Sequence, residues 1–550
     1  MDSAELADLG QQLRVDGIRA SAAAGSGHPT SSMSAADLMA VLLAHHLHYD
    51  FDRPAHPAND RFVLSKGHAS PLLYAAYKAA GAIDDDELLT FRTLGSRLEG
   101  HPTPRRLPWV ETATGSLGQG LPVGVGIALS GKRLESSAYR VRVLCGDSEL
   151  AEGSVREAAE HASYENFDNL TAIVDVNRLG QRGPTRHGHD LDAHARRFRA
   201  FGWHTIEIDG HDVDAIDRAS GEARSTLGQP SVILARTLKG KGVADVEDRE
   251  RLHGKPLENA DDAFEELGGV RDLRVRVHTP DVDRVLHSVP GGPLHLPRCE
   301  QGEKAATRDA FGKAPAALGT ARGDVVALDG EVGDSTGSHA GVAIGRDGPS
   351  QMGLEDLAMM RSVHGSTVLY PCDAHQTARL VATMAGLDGV RYLRTSRGEG
   401  PVIYGPDEEF PVGGSKMLRS SGRDDRLTIV AAGVTVPEAL AAADALDAQG
   451  VPVRVIDLYS VKPVDRDTLR RAAEETGCLL TVEDHRPEGG LGDAVLDAFA
   501  DGRPVPRLVR LAVTTMPGSA SPQEQLHAAG IDAESIAAAV RLLVEQAITP

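Results

Sequence analysis

Short β-branched runs separated by helical patterns constrain the fold of this chain most strongly. Within residues 1–265, apolar runs occur at Val141 to Leu144, Leu170 to Val174 and Ser231 to Leu234, with longer helix-like segments between them. Strands that alternate with helices in this way are typical of parallel sheets covered by helices on both faces. The sequence therefore predicts an α/β protein with parallel sheets flanked by helices.

The same alternation divides the chain into three predicted domains. Residues 1–265 form a large first domain, and a turn-forming stretch with Pro290-Gly-Gly-Pro293 indicates a linker over residues 266–300. Residues 301–415 form a thin middle domain. Its predicted strands are Val325 to Leu328, Thr367 to Tyr370 and Val390 to Leu393.

Residues 416–550 form the third predicted domain, which has the pattern of a βαβαβ unit. Its predicted elements are strand Leu427 to Ala431, helix Pro437 to Gln449, strand Val453 to Leu458, helix Arg466 to Glu475 and strand Leu479 to Val482. A length of 550 residues agrees with several domains of roughly 150 residues each.

Charge and cysteine usage exclude several classes of protein. The 58 Lys and Arg residues face 79 Asp and Glu residues, and a net charge of −21 repels phosphate backbones and anionic lipids. Four widely spaced cysteines indicate neither a disulfide framework nor a zinc ribbon. The N-terminal segment lacks the pattern of a secretory signal, and no apolar run approaches the ~20 residues of a membrane span. We expect a cytoplasmic protein that binds neither nucleic acid nor membranes.

Polar residues follow two of the predicted strands in the first domain. Asp147 follows one strand directly, and Asn177 follows the next strand along the chain. Ligands of open α/β sheets bind at this carboxyl edge, and a carboxylate, an amide and a backbone carbonyl would suit magnesium bound to a diphosphate. A strand-end aspartate is also a common turn or N-cap residue.

Five histidine- and glycine-containing motifs surround this pair, and together they resemble the transketolase family. They are Gly25-Ser-Gly-His28-Pro-Thr, Ser65-Lys-Gly-His68-Ala-Ser, Glu99-Gly-His101-Pro, Thr114-Gly-Ser-Leu-Gly-Gln-Gly120 and Leu252-His253-Gly-Lys-Pro. A single Gly-His pair would be only a turn. Five motifs in the order of the family indicate membership, and the resemblance implies a three-domain transketolase-like architecture.

The resemblance implies transfer of a two-carbon ketol unit between sugar phosphates with thiamine diphosphate and a divalent metal, Mg²⁺ or else Ca²⁺ or Mn²⁺. Asp147, Asn177 and the Leu179 carbonyl match the metal ligands of the family. The matching cofactor-binding residues are His68, Gly115, Ser116, Leu117, Gly146, Gln181 and Lys239.

Three histidines match the groups that contact the reacting carbonyl and hydroxyls. His28, His101 and His253 are the implied catalytic residues, since imidazole can donate or accept protons near neutral pH. Lys66, like Lys239, matches a lysine that lines the cavity. Glu152 and Glu157 resemble acids that link two active sites across a homodimer, although a solvated helix face is the alternative.

A second group of motifs, His339 to Gln351 and Arg394-Thr-Ser-Arg397, lies in the middle domain. Arg308, Ser335, His339 and Arg397 match positions that bind the sugar phosphate, and Asp347 and Gln351 match contacts to donor hydroxyls. Two guanidiniums with a hydroxyl and an imidazole suit a phosphate dianion. Val482-Glu-Asp-His485 and Gly489-Gly-Leu-Gly492 resemble the C-terminal domain of the family.

The chain departs from the family where Val325 to Leu328 is followed almost directly by the His339 motif. Roughly 70 residues, about two βαβ units, are absent there. In the family that segment brings the glutamate that protonates the aminopyrimidine ring and the aromatic residues that stack on it. Ser148 also replaces a glycine of the family. The middle domain is therefore predicted to be truncated.

This departure leaves three functions open. One is an active ketol transferase, and another is a catalytically weak, cofactor-binding scaffold that needs a partner chain to supply the missing segment. A deoxyxylulose-phosphate synthase is a third, which the Arg308 to Arg397 set does not favour. Glu331 and Asp334 at the junction are more simply solvated loop acids. Two further groups, His45 to His48 and His187-Gly-His189, are interpreted as solvated rather than metal-binding.

Overall fold

The computed structural model describes residues 1–280, 291–328 and 340–548 of the chain. It divides into two units, Met1–His287 and Ser288–Pro550. The candidate residues Ser335 and His339, with Glu331 and Asp334, lie outside the described residues. Among the described helices, none has the length and apolar character that a membrane crossing requires. All four cysteines are free thiols.

Five parallel strands form the sheet of unit 1, in the order β1-β2-β3-β5-β4. The strands are β1 (Arg61–Leu64), β2 (Val141–Gly146), β3 (Leu170–Val176), β4 (His204–Asp209) and β5 (Ser231–Arg236). The helices are α1 (Ser3–Ala23), α2 (Pro29–Ser34), α3 (Ala36–Val41), α4 (Ser70–Ala79), α5 (Asp85–Leu88), α6 (Gly120–Leu129), α7 (Gly153–Tyr164), α8 (Leu191–Ala200), α9 (Val213–Ser225) and α10 (Ala260–Glu266).

The strands of unit 1 are buried on both faces. Val141, Val143 and Cys145 of β2 pack into one apolar cluster with residues of α6 and α7, whereas Leu144 packs into another with α1 and α4. This is the doubly covered sheet that the β-branched runs predict. Because β2, β3 and β5 are neighbours, the residues that follow them lie at one carboxyl edge.

Unit 2 contains a five-stranded sheet, a three-stranded sheet and a two-stranded ribbon, with strand orders β10-β12-β11-β14-β15, β13-β7-β8 and β6-β9. The strands are β6 (Lys304–Ala306), β7 (Thr367–Leu369), β8 (Arg391–Leu393), β9 (Glu399–Pro401), β10 (Lys416–Arg419), β11 (Thr428–Ala431), β12 (Arg454–Asp457), β13 (Ser460–Lys462), β14 (Cys478–Glu483) and β15 (Arg507–Ala512). The helices are α11 (Thr307–Ala321), α12 (Asp356–Ser362), α13 (Ala374–Met384), α14 (Thr435–Asp447), α15 (Arg466–Thr476), α16 (Leu491–Asp497), α17 (Pro522–Ala528) and α18 (Ala533–Ile548).

The three-stranded sheet joins residues from the predicted middle and third domains. β13 pairs antiparallel with β7, which pairs parallel with β8. In the five-stranded sheet, β11, β12, β14 and β15 are parallel and β10 runs antiparallel at the edge. The α/β class with parallel sheets flanked by helices is confirmed, and the domain boundaries at 265, 300 and 415 stay a prediction.

The predicted strand at Val325 to Leu328 is wrong. These residues are irregular, and the side chains of Val326 and Leu328 are 56% and 85% exposed. No described strand pairs with them. A β-branched composition favours an extended backbone, but a strand also needs a neighbouring strand for its hydrogen bonds.

Candidate active site at the carboxyl edge of the first sheet

Asp147 and Asn177 lie at the ends of the neighbouring strands β2 and β3, both buried. Asp147 accepts hydrogen bonds from the backbone N–H groups of Ser148 and Arg178, at 2.9 and 2.8 Å. The Leu179 N–H donates to Asn177 Oδ1 at 3.2 Å, so the third predicted ligand follows in the same turn. The structure thus brings the three predicted metal ligands together.

A buried carboxylate that we did not predict orients this turn. Asp175, at the end of β3, accepts hydrogen bonds from Asn177 Nδ2 at 2.9 Å and from Ser34 Oγ at 2.6 Å. It also accepts from Thr237 Oγ1 and forms an ion pair with the Lys66 ammonium. Asp175 thus holds the Asn177 amide nitrogen, and Asn177 Oδ1 is the oxygen that accepts from the Leu179 N–H.

Lys66 differs from its predicted position. Its side chain is only 1% exposed, and its ammonium also donates to the Ser31 carbonyl at 2.9 Å. It therefore neutralises Asp175 inside the protein instead of lining a cavity. The motif Asp175-Val-Asn177 contained the missed signal, since an aspartate two residues before a ligand at a strand end lies within reach of it.

Three histidines contact one another, and Lys239 links them to this turn. The ring centroids of His28, His68 and His253 are separated by 4.8 to 5.1 Å. Lys239 Nζ lies 2.9 Å from His253 Nδ1 and donates to the Leu179 carbonyl at 2.8 Å. Within the described part of the chain, His28 Nδ1 is buried without a hydrogen-bond partner.

Burial and neighbouring cations keep the three imidazoles of this cluster uncharged near neutral pH. Burial, with smaller effects of Arg92 and His101, lowers the pKa of His28 to about 4. Burial, with Lys239 close by, lowers the pKa of His253 to about 3, and burial lowers the pKa of Lys239 to about 8. Burial and the neighbouring Asp175 carboxylate raise the pKa of Asp147 to about 6. The imidazoles are therefore neutral groups that can accept protons.

Glycines allow two loops to pack closely beside His68. Gly115 has φ +125°, and a Cβ there would lie 2.5 Å from His101 Cδ2. A Cβ at Gly67 would lie 2.4 Å from Thr114 Oγ1. The structure thereby brings His101, although exposed, against the Gly115 loop.

Glu149 ties these loops to the end of β2. Its buried carboxylate accepts hydrogen bonds from the Gly118 and Gly146 N–H groups, at 3.3 and 3.0 Å, and from Ser65 Oγ at 3.0 Å. The predicted positions Gly115 to Leu117 and Gly146 therefore belong to loops with one common anchor. Ser116, Leu117 and Gln181 are exposed, as are Glu152 and Glu157.

In unit 2, the two predicted phosphate contacts that the structure describes, Arg308 and Arg397, lie on adjoining segments. The Arg308 N–H donates to the Ser396 carbonyl at 3.3 Å, and the Arg397 guanidinium forms an ion pair with Asp347. Gln351 is exposed on a short 3₁₀ turn after Asp347. The Val342 N–H donates to the buried Asp484 at 2.7 Å, which anchors the start of this loop.

The interpretation of the other histidine groups as solvated is wrong for His45, His46 and His189, which have protein partners. His45 and His46 both bind Asp217, at 2.8 and 2.9 Å, and His46 is buried. His189 Nε2 bonds the Thr237 carbonyl at 2.8 Å. Carboxylate and carbonyl partners orient these three imidazoles. Among the described residues, the one His, Cys, Asp and Glu group close enough to hold a metal is His527, Asp532 and Glu534, on the surface of unit 2.

Comparisons with known proteins identify the family. The family model for the transketolase thiamine diphosphate-binding domain matches residues 4–268, that for the pyrimidine-binding domain matches 336–402, and that for the C-terminal domain matches 416–536. The chain belongs to the transketolase family.

Curated relatives match over nearly the whole chain. Human transketolase is 41% identical over 98% of this chain and 98% of its own, and transketolase-like protein 2 of Bos taurus is 42% identical over 98% and 97%. Solved structures support the fold: transketolase from Leishmania mexicana has a TM-score of 0.81 at 22% identity over 99% and 98% of the two chains. That from Campylobacter jejuni has a TM-score of 0.79 at 21% identity, over 98% and 99%.

The same comparisons support the internal deletion. The alignment with human transketolase extends over 619 residues, whereas this chain has 550. The pyrimidine-binding match is confined to residues 336–402, which follow the junction directly. The irregular backbone of Val325 to Leu328 lies just before this junction.

Proposed function

We propose that the chain transfers a two-carbon ketol unit from a ketose phosphate to an aldose phosphate, with thiamine diphosphate and a divalent metal such as Mg²⁺. The observation that carries the proposal is the convergence of three neutral histidines and Lys239 on the Asp147–Asn177 turn. The family assignment over nearly the full chain supports the same activity.

The residues present fit the cofactor and the metal. Asp147 is buried and forms no ion pair among the described residues, and burial raises its pKa to about 6, so a bound cation would stabilise its ionised form. Gly115 lies in a loop with no room for a side chain. Asp147, Asn177 and Leu179 would hold the metal, while His68, Gly115 to Leu117, Gly146, Gln181 and Lys239 would hold the cofactor.

When bound, thiamine diphosphate supplies a nucleophilic carbon and an electron sink. His28 and His253, which are neutral, would accept and return protons at the carbonyl and hydroxyls of the sugar. The exposed His101 would contact the same groups. The orphaned Nδ1 of His28 is available for such a hydrogen bond. Arg308 and Arg397, with Ser335 and His339, would bind the sugar phosphate, and Asp347 and Gln351 the donor hydroxyls.

The sequence features favour a cytoplasmic homodimer. Four free cysteines fit a reducing compartment, and the exposed Glu152 and Glu157 on and beside α7 are available to link two active sites. Pentose phosphates and other sugar phosphates are the expected small-molecule partners.

A second candidate function follows from the deletion. The alignment with human transketolase is longer than this chain, and the missing segment carries the family's glutamate that activates the aminopyrimidine. A chain that binds the cofactor but needs a complementing polypeptide for turnover would keep the diphosphate-binding residues and lack this segment. Such a scaffold would bind thiamine diphosphate normally and transfer ketol units only when the partner is added.

Turnover of xylulose 5-phosphate with ribose 5-phosphate by the purified chain tests the first proposal. We expect product only when thiamine diphosphate and Mg²⁺ are both present. Absence of turnover in a preparation that binds the cofactor would contradict an autonomous transferase and favour the scaffold. Turnover that survives removal of the cofactor would contradict both.

A further inference from the structure

The motif Val482-Glu-Asp-His485 lies at the carboxyl end of the inner strand β14, and none of the roles proposed above uses it. Asp484, the first residue after the strand, is 1% exposed. A carboxylate buried to this degree costs free energy unless cations or N–H groups compensate its charge. The partners of Asp484 therefore indicate why a charge is kept there.

Asp484 holds the start of the loop 341–352. Its Oδ1 accepts a hydrogen bond from the Val342 N–H at 2.7 Å, and the Ala343 N–H donates to the same carboxylate. Gly341 has φ +98°, and a Cβ there would collide with Asp484 Oδ2. The backbone of the loop therefore lies directly on the carboxylate, where only a glycine fits.

This loop carries two of the predicted substrate contacts, Asp347 and Gln351. The Gly341 N–H donates to the Met352 carbonyl at 2.6 Å, so the two ends of the loop are joined. Residues 341–345 are buried, whereas Asp347 and Gln351 are exposed. The position of the exposed part thus depends on how the buried end is fixed.

A buried cation accompanies the carboxylate. Arg394 is fully buried, its Nε lies 3.2 Å from Asp356 Oδ2, and its guanidinium carbon lies 4.7 Å from the centroid of the Tyr370 ring. Burial raises the pKa of Asp484, and the charge of Arg394 opposes this rise. One guanidinium therefore compensates two carboxylates, of which Asp484 holds the start of the loop and Asp356 follows its end.

The segment that carries Arg394 also carries a predicted phosphate contact, Arg397. The Ala340 N–H donates to the Thr395 carbonyl at 3.2 Å, and the Arg394 N–H donates to the Leu369 carbonyl of β7 at 2.9 Å. The segment therefore joins the start of the loop to the three-stranded sheet. A shift of the loop would also change the surroundings of the phosphate contact.

We propose that Asp484 is a positioning residue for substrate binding, which fixes the loop 341–352 while Arg394 compensates its buried charge. Asp484 acts through the backbone of the loop and not by contact with the sugar. The inference rests on the proposed function, in which Asp347 and Gln351 contact the substrate. It assigns the Val482 to His485 motif a part in the sugar-phosphate site.

Hydrogen–deuterium exchange tests the positioning step whether or not the chain transfers ketol units. Asp484→Asn keeps the side-chain volume but removes the charge from these hydrogen bonds, so exchange of the Val342 and Ala343 amides should rise about tenfold. Asp465→Asn is the matched control, because Asp465 also accepts a backbone N–H, from Thr468 at 3.1 Å, but at the start of α15. Unchanged exchange in Asp484→Asn would overturn the proposal.

Calorimetric titration with ribose 5-phosphate, in saturating thiamine diphosphate and Mg²⁺, tests the consequence for the substrate. No ketol donor is present, so the sugar is bound but not converted. Asp484→Asn should weaken this binding about tenfold. It should leave the affinity for thiamine diphosphate unchanged, whereas a general loss of stability would lower both affinities.

The outcomes separate this inference from the proposed function. Wild-type affinity for ribose 5-phosphate in Asp484→Asn would overturn the inference alone. A wild-type chain that binds no ribose 5-phosphate would contradict the proposed function, and with it a role for Asp484 in substrate binding.

A second variant perturbs the same contact from the loop and removes no charge. In Gly341→Ala the new Cβ would collide with the Asp484 carboxylate, so binding of ribose 5-phosphate should weaken as in Asp484→Asn. Gly353→Ala is its control, because Gly353 also has a positive φ, +50°, but a Cβ there would make an ordinary contact, 3.7 Å from Ala340 Cβ. Equal affinities in the two glycine variants would contradict the positioning role.

Discussion

The two units differ in how their predicted site residues are held. In unit 1, Asp147 and Asn177 lie on a turn fixed by Asp175, which has four hydrogen-bond or ionic partners, all from buried residues. In unit 2, Arg397 and Asp347 are partly exposed and contact mainly each other. The hydrogen-bond network that holds the proposed metal ligands therefore lies within residues 1–287, outside the part of the chain that the deletion affects.

Two buried, paired acids of unit 1 differ from one buried acid of unit 2 in the direction of their pKa shifts. Burial alone would raise the pKa of Asp175 and of Asp37, but Lys66 and Arg14, with hydrogen bonds, hold both below the usual value. In unit 2, burial raises the pKa of Asp457 to about 7 although Tyr404 and Gln376 donate to it, each at 2.7 Å. Asp175 and Asp37 are therefore ionised, paired carboxylates, whereas Asp457 is a carboxyl that is easily protonated.

Removing the carboxylate of unit 1 has the largest expected effect. Asp147→Ala should abolish Mg²⁺-dependent binding of thiamine diphosphate, because it removes the only negatively charged predicted metal ligand. Isothermal titration calorimetry measures this directly. Asp86→Ala, an exposed aspartate on α5, is the control and should bind as the wild type does. Unchanged cofactor affinity in Asp147→Ala would refute the metal assignment.

The histidine cluster gives the next largest effect. If the chain is an active transferase, His253→Ala should lower kcat by about two to four orders of magnitude, the contribution typical of a positioned acid or base. Cofactor affinity should change little, because Lys239 still donates to the Leu179 carbonyl. The exposed His364→Ala in unit 2 serves as the control for the loss of a histidine. An unchanged kcat would remove His253 from the proton transfers.

Asp175 tests whether the internal network sets metal affinity. Asp175→Asn should weaken Mn²⁺ binding about 10- to 100-fold, as loss of a group that orients a metal ligand commonly does. Electron paramagnetic resonance of free Mn²⁺, with thiamine diphosphate present, measures the change. Ser34→Ala, which removes a single bond to Asp175, should give a smaller loss. Wild-type Mn²⁺ affinity in a folded Asp175→Asn variant would contradict the positioning role.

The smallest expected effect is the pH dependence of stability. Asp457 has a raised pKa in the folded protein, so its contribution to the free energy of unfolding is complete below pH ~4 and is lost as pH rises through about 7. Asp37 and Asp175 behave in the opposite way, and their contribution is lost as pH falls below about 4.

Urea unfolding at pH 5 and pH 8 checks this difference. Asp457→Asn should show a smaller drop in the unfolding midpoint between pH 5 and pH 8 than the wild type, because its side chain does not ionise. Asp467→Asn, exposed on α15, should retain the full drop. Equal pH dependence in all three proteins would show that Asp457 does not titrate in this range.

Sequence patterns predicted the parts of the fold that rest on local composition. β2, β3 and β5 were found because their residues are β-branched and buried on both faces, whereas β4, with His204, Glu207 and Asp209, is too polar to be found in this way. Val325 to Leu328 has the composition of a strand but no partner among the described residues.

The candidate site shows the same limit. Motifs predicted Asp147, Asn177 and the histidines, because each lies next to a turn or a strand end. They did not predict that Lys66 pairs with Asp175, or that Lys239 bonds the Leu179 carbonyl, since both contacts join residues far apart in the chain. Long-range pairing of buried charges depends on how the elements pack, which local patterns do not contain.

Calorimetric titration of the wild-type chain with thiamine diphosphate tests the central claim. The claim is that the hydrogen-bond network around Asp175 in unit 1 is sufficient for binding of the cofactor. The account predicts saturable binding of one thiamine diphosphate per chain, dependent on Mg²⁺ and abolished by EDTA. Absence of binding, or binding that is indifferent to Mg²⁺, would contradict it.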